Sequence, residues 1–171
     1  TSDTARVAVQ QARTIANANG VKIALTLSDP AMVQYARQGL DELLDDGVDL
    51  LFCNEQEALM YTHTDNLEAA LAALRLKSHM VVITLSEKGA LIATQDEQFN
   101  VAGRQVLAVD ANGAGDAFAG AFLYALNADL GLQTAAELAI LVSSQVVSQF
   151  GPRLALADYA QLLHTLQQDP A

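Results

Sequence analysis

The sequence predicts an α/β fold in which helices cover the faces of a mostly parallel sheet. Three observations predict it. Val48 to Cys53 and Met80 to Leu85 are short, continuously apolar runs, the mark of strands buried on both faces. Segments with apolar residues at helical spacing lie between the apolar runs, so strand and helix alternate through the first half of the chain. The 171 residues, 51% of them apolar, suffice for about one domain with its own core and exclude a disordered chain.

Thr4 to Asn19 sets Val7, Ala8, Gln11, Ala12, Ile15 and Ala16 at helical spacing, and Asn19-Gly20 stops the pattern. Lys22 to Leu27 reads as a strand. Ser28-Asp29-Pro30 is a helix start, because proline's missing amide costs nothing there. Met32 to Asp45 then reads as one helix, broken by Gly47. The run Val48 to Cys53 leads through Asn54 into a helix to Tyr61, and Asn66 to Lys77 forms another. After Met80 to Leu85, the turn Ser86-Glu87-Lys88-Gly89 opens a strand from Ala90 to Thr94. The polar link Gln95 to Gln98 marks a hairpin that returns as Phe99 to Ala102, and Val106 to Val109 reads as a further short strand. The loop Asp110 to Gly115 precedes a helix, Asp116 to Asn127, with Ala117, Phe118, Ala121, Phe122 and Ala125 on one face. Thr134 to Gln149 turns Leu138, Leu141, Val142 and Val146 inward and ends at Gly151-Pro152, and Leu156 to Gln168 is the last helix. No repeat, low-complexity tract or dividing linker interrupts the chain.

Twenty Asp and Glu against nine Lys and Arg give a formal charge of −11, so no surface can neutralise a phosphate lattice. Neither nucleic acid nor a membrane is an expected partner, and an anionic substrate must rely on backbone amides. Cys53 is the only cysteine, which excludes an internal disulfide and a Cys-based zinc site and fits a reducing cytoplasm. No apolar run reaches the roughly 20 residues of a membrane span, and no signal peptide is expected. The chain opens on Thr1 and enters a helical pattern at once, as expected of a piece of a longer chain.

The informative loop is Asp110-Ala111-Asn112-Gly113-Ala114-Gly115-Asp116, between a predicted strand and an amphipathic helix. The first amides of a helix have no intrahelical partner, and the macrodipole places partial positive charge there. Gly113, Ala114 and Gly115 have almost no side chain to obstruct an anion. A carboxylate at the mouth of an anion site is misplaced for binding alone. Asp116 makes sense as the acceptor of a proton from a hydroxyl attacking phosphorus. For the tetrapeptide alone, a plain helix start with a favourable first-turn carboxylate is the better explanation. The loop is not a dinucleotide fingerprint, since Phe118 replaces the third glycine, nor a Walker A loop, since no Gly-Lys-Ser/Thr follows.

Asp110 to Gly120 resembles the signature of the ribokinase-like (PfkB) carbohydrate and nucleoside kinases. Asn54-Glu55-Gln56-Glu57 is similar to the family's N-x-x-E motif, and Thr84-Leu85-Ser86-Glu87-Lys88-Gly89 to its T-L-G-x-x-G turn. The order and the preceding strands also match. The resemblance spans nearly the whole chain but only the C-terminal part of the family fold, a Rossmann-type three-layer sandwich with a mostly parallel sheet. The family's N-terminal substrate and lid portion has no counterpart in these residues.

The resemblance implies ATP-dependent phosphoryl transfer to a hydroxyl of a sugar or nucleoside, with Asp116 as base and Gly113 to Gly115 as anion hole. It implies that Asn54 and Glu57 organise Mg2+, through water, since magnesium keeps much of its hydration shell. The residue-level alternative for that pair is a helix capping box. Thr84, Ser86, Gly89, Asn112 and Ser144 are the implied nucleotide contacts. Asp110, Asn112 and Gly151 match positions that hold a monovalent cation, K+, in many members. Two departures stand out: Ser86 replaces the usual glycine, and Ala111 the usual threonine.

The loop together with Gln149-Phe150-Gly151-Pro152-Arg153 is more similar to adenosine- and nucleoside-type members than to ribokinase itself. A kinase of a phosphosugar or vitamin-type alcohol, and a non-catalytic nucleotide-binding or regulatory module, are the alternatives. These residues alone are expected to bind nucleotide with little turnover. An open sheet edge would favour self-association, so a homodimer is among the expected states. His63, His79 and His164 are dispersed and read as structural or exposed. Lys88 reads as an exposed turn residue, Cys53 as a small buried hydrophobe, Phe118 and Phe122 as core, and Asp41, Glu42, Asp45 and Asp46 as a solvated helix end.

Overall fold

The computed structural model describes residues 2–168, so Thr1 lies outside the described residues. Its elements run α1 (Asp3–Ala18), β1 (Ala24–Thr26), α2 (Pro30–Tyr35), α3 (Arg37–Leu44), β2 (Val48–Asn54), α4 (Glu55–Thr62), α5 (Leu67–Arg75) and β3 (Ser78–Thr84). A 3₁₀ turn (Ser86–Lys88) then precedes β4 (Gly89–Ala93), β5 (Gln98–Ala102), α6 (Ala114–Asn127), α7 (Leu132–Val147) and α8 (Leu156–Gln168). The five strands form one sheet in chain order, β1-β2-β3-β4-β5. β1, β2 and β3 are parallel, with Ala24 opposite Leu50, Leu50 opposite Met80, and Asn54 opposite Thr84.

The chain groups into two compact units. The first runs to Thr84 and includes Leu91–Phe99, and the second comprises Leu85–Ala90 and the residues from Asn100 onward. In the first, Leu27, Leu44, Leu51, Leu74, Val81, Ile83 and Ile92 are fully buried. Arg13 is buried too: its guanidinium donates to the Leu43 and Gly47 carbonyls, filling the acceptors left open where α3 ends. In the second unit, α6 packs against α7. Phe118 and Phe122 are both buried and stack with centroids 6.2 Å apart.

Three expectations are corrected. Met32 to Asp45 is not one helix: the chain breaks at Ala36 (φ −113°, ψ 20°) between α2 and α3. Val106 to Val109 is not a strand. Leu107 is 84% exposed, and Val109 donates to the Val147 carbonyl at 2.8 Å instead of joining the sheet. The acidic cluster is not simply solvated. Asp41 pairs with Arg37, Glu42 with Arg6, Asp45 with Lys77, and Asp46 lies 3.8 Å from Arg13. Among the described residues no helix is long and apolar enough to cross a membrane.

Candidate active site

Gly113 is the N-cap of α6 and adopts a left-handed conformation, φ 75°. A Cβ there would lie 2.5 Å from the Pro152 Cβ and 2.7 Å from its carbonyl oxygen, so only glycine permits this approach. Asp110 fixes the same junction. One carboxylate oxygen accepts from the Asn112 amide at 3.0 Å and the other from the Gly151 amide at 3.2 Å. These two amides hold its carboxyl below the usual carboxylate range. Asp110, Asn112 and Gly151 are therefore brought together, as a latch between the loop and the turn after α7.

No side chain caps α6. The Ala114 amide turns back to the Ala111 carbonyl at 3.2 Å, whereas those of Gly113, Gly115 and Asp116 make no hydrogen bond among the described residues. A Cβ on Gly115 would meet nothing within 4 Å. The open amides and the helix dipole thus present a positive, sterically bare end. Asp116 is exposed in the first turn and lines a cavity of about 630 Å3 with Gly120, Tyr124, Leu138, Arg153 and Leu163. Tyr124 is not marked by the sequence, and Arg153 enters there only within the string Gln149 to Arg153. Tyr124 follows Asp116 by eight residues, two helical turns along one face, and that spacing was the available signal.

Asn54 and Thr84 are register partners at the carboxyl ends of β2 and β3, the edge where open α/β sheets bind ligands. Asn54 also caps α4 in a complete capping box. Its side chain accepts from the Glu57 amide at 2.8 Å, and Glu57 accepts from the Asn54 amide at 3.0 Å and from its Nδ2 at 2.6 Å. Glu57 is 4% exposed. Burial pushes its carboxyl up, the Asn54 amide opposes the rise, and the charge of Asp29 adds to it. Asp29 follows β1 by way of Leu27, whose amide donates to the Phe52 carbonyl, and Asp29 caps α2 by accepting from the Met32 amide at 2.9 Å.

Ser86 adopts φ 54°, and Gly89 adopts φ 107°. The Leu85 amide donates to the Gly89 carbonyl at 2.8 Å, closing the turn. Ser144 is buried in α7, and its hydroxyl donates to the Leu141 carbonyl at 2.8 Å. His63 meets Arg37 at 3.0 Å, beside Tyr61, whose hydroxyl donates to Asp41 at 2.8 Å. Cys53 is buried, and that burial pushes its thiol up. No group of three His, Cys, Asp or Glu side chains suited to a metal gathers among the described residues.

Residues 2–158 match the model of the pfkB family of carbohydrate kinases. The chain belongs to that family. An adenosine kinase from Schizosaccharomyces pombe is 30% identical over 82% of this chain and 46% of its own length. A ribokinase from Mus musculus is 36% identical over 68% of this chain and 36% of its own. The crystal structure of adenosine kinase from Sinorhizobium meliloti superposes with a TM-score of 0.86 at 33% identity, covering 94% of this chain and 49% of that one. The chain thus spans about half the length of the PfkB relatives it matches or less, and over that span its fold is ribokinase-like.

Proposed function

We propose that this chain is the nucleotide-binding and catalytic part of an ATP-dependent kinase whose acceptor is a hydroxyl of a sugar or nucleoside. One observation carries the reading: an exposed carboxylate, Asp116, stands beside open first-turn amides on the wall of a roomy cavity. The names of the relatives, adenosine kinase and ribokinase, support the same acceptor classes, and adenosine kinases recur among both sequence and structure neighbours.

In this reading Asp116 accepts the proton of the acceptor hydroxyl as its oxygen bonds to the γ-phosphorus and the bond to the ADP oxygen breaks. The open amides of Gly113 and Gly115 bear the negative charge of the transferred group, while Ala114, engaged with Ala111, sets the curvature of the loop. Arg153, on the same cavity wall, supplies a cation in an otherwise acidic chain. Ser86 and Gly89 meet the nucleotide from the turn before β4, and Thr84 from the end of β3. Solved relatives described as holding ATP with Mg2+, or ADP with a potassium ion, support these cofactors. Asn54 and Glu57 fit outer-sphere magnesium: each Glu57 oxygen accepts one hydrogen bond, at 3.0 and 2.6 Å, and keeps lone pairs for a metal-bound water. Bound magnesium would neutralise phosphate charge. Asp110, Asn112 and Gly151, latched by two amide donors, are the candidates for the potassium ion.

Turnover belongs to the full-length chain, and these residues alone supply nucleotide binding. The test is ATP consumption by the full-length protein with added nucleosides and sugars. We expect acceptor-dependent turnover, reduced roughly 10²–10⁴-fold in Asp116→Asn. ATP binding with no turnover on any acceptor would instead favour a regulatory module, and equal turnover in Asp116→Asn would remove the base.

A further inference from the structure

We infer that Gly103 is a positioning residue for the nucleotide: its bare Cα lets the chain leaving β5 close onto the Leu85–Gly89 turn and fix where that turn stands. The inference rests on the reading of the turn as a nucleotide contact.

The two backbones interlock at a pair of glycines. A Cβ on Gly103 would lie 2.2 Å from the Glu87 carbonyl oxygen and 2.8 Å from the Gly89 nitrogen. Reciprocally, a Cβ on Gly89 would lie 1.9 Å from the Val101 carbonyl oxygen and 2.5 Å from the Gly103 nitrogen. Each obstacle is main chain, which no side-chain rotation can clear. The turn is closed within itself, Leu85 to Gly89 at 2.8 Å and Lys88 to Leu85 at 3.1 Å, with Ser86 held in the left-handed region. A segment so tied shifts as one piece. A methyl group at position 103 must therefore displace the Glu87 carbonyl by the better part of an ångström and carry Ser86 and Gly89 with it. Misplacement on that scale draws Ser86 and Gly89 away from the nucleotide, a loss of binding shared by ground and transition states, which raises the KM for ATP and leaves kcat unchanged. Gly103 follows a strand in an otherwise ordinary sequence, outside every motif, and only the contact reveals it.

The test is Gly103→Ala in the full-length protein, with ATP affinity measured by calorimetry and initial rates measured against ATP and acceptor separately. We expect the Kd and KM for ATP to rise about tenfold or more, with the acceptor KM and kcat within about twofold of wild type. A purely structural role would lower the melting temperature and the active fraction but leave the KM for ATP unchanged, and that result overturns the inference. If wild type itself binds no ATP, the reading of the turn fails and takes the inference with it. ATP bound equally by wild type and variant overturns the inference alone. Should Gly103→Ala not fold, amide exchange on wild type decides. Protection rising together at residues 86–89 and 103–104 on adding ATP supports it, and protection at 86–89 alone overturns it.

Discussion

A left-handed backbone at a residue with a β-carbon costs about 1–2 kcal/mol, and Ser86 carries that cost at φ 54°. The family's usual glycine at this position thus has a conformational reason, and the serine is the strained choice. Ser86→Gly is expected to raise stability by up to about 1 kcal/mol, since glycine's greater unfolded-state entropy offsets part of the relief. The shift in denaturant midpoint checks it, and a variant less stable than wild type would mean that the hydroxyl contributes more than the strain. At this scale the sequence was readable where residue type alone decides, as for Gly113 and exposed Asp116. It was silent where spatial contact decides. Nothing about Gly103 announces the Glu87 carbonyl beside it, and a serine at position 144 reads alike whether its hydroxyl faces a nucleotide or the Leu141 carbonyl.

Helix ends were legible because caps are local. Asp29 before Pro30, Asn54 before α4 and Asn66 before α5 each accept from an amide three residues on, as their types predict. The Asn54–Glu57 pair carries two meanings at once, since the spacing that makes a capping box is also the family's N-x-x-E. Asn54→Ala is expected to lower stability by about 1–2 kcal/mol through the lost cap, measured by chemical denaturation. A loss well below that range would show that α4 is held by packing alone. Pairing, by contrast, is not local. The apolar run Val106 to Val109 has strand composition, yet a strand needs a neighbour, and Val109 and Asp110 find the end of α7 instead. The break at Ala36 has no proline or glycine to mark it, so helical periodicity ran through it unseen.

Across the whole molecule, an alternating α/β sequence specified that β1, β2 and β3 run parallel, and their register sets Asn54 and Thr84 side by side at the carboxyl edge. The formal charge of −11 leaves recognition of an anion to oriented amides, with Arg153 the cation on the cavity wall beside them. Cys53, one residue before that edge, faces Ile83 across the sheet and is the chain's sole sulfhydryl. A thiolate at that place needs water, and water reaches it only when the packing around β2 opens. Iodoacetamide should therefore modify native protein far more slowly than protein in denaturant, and equal rates would contradict the burial seen here. One atom of sulfur thus serves as a built-in stopwatch for the opening of β2, requiring no engineered label.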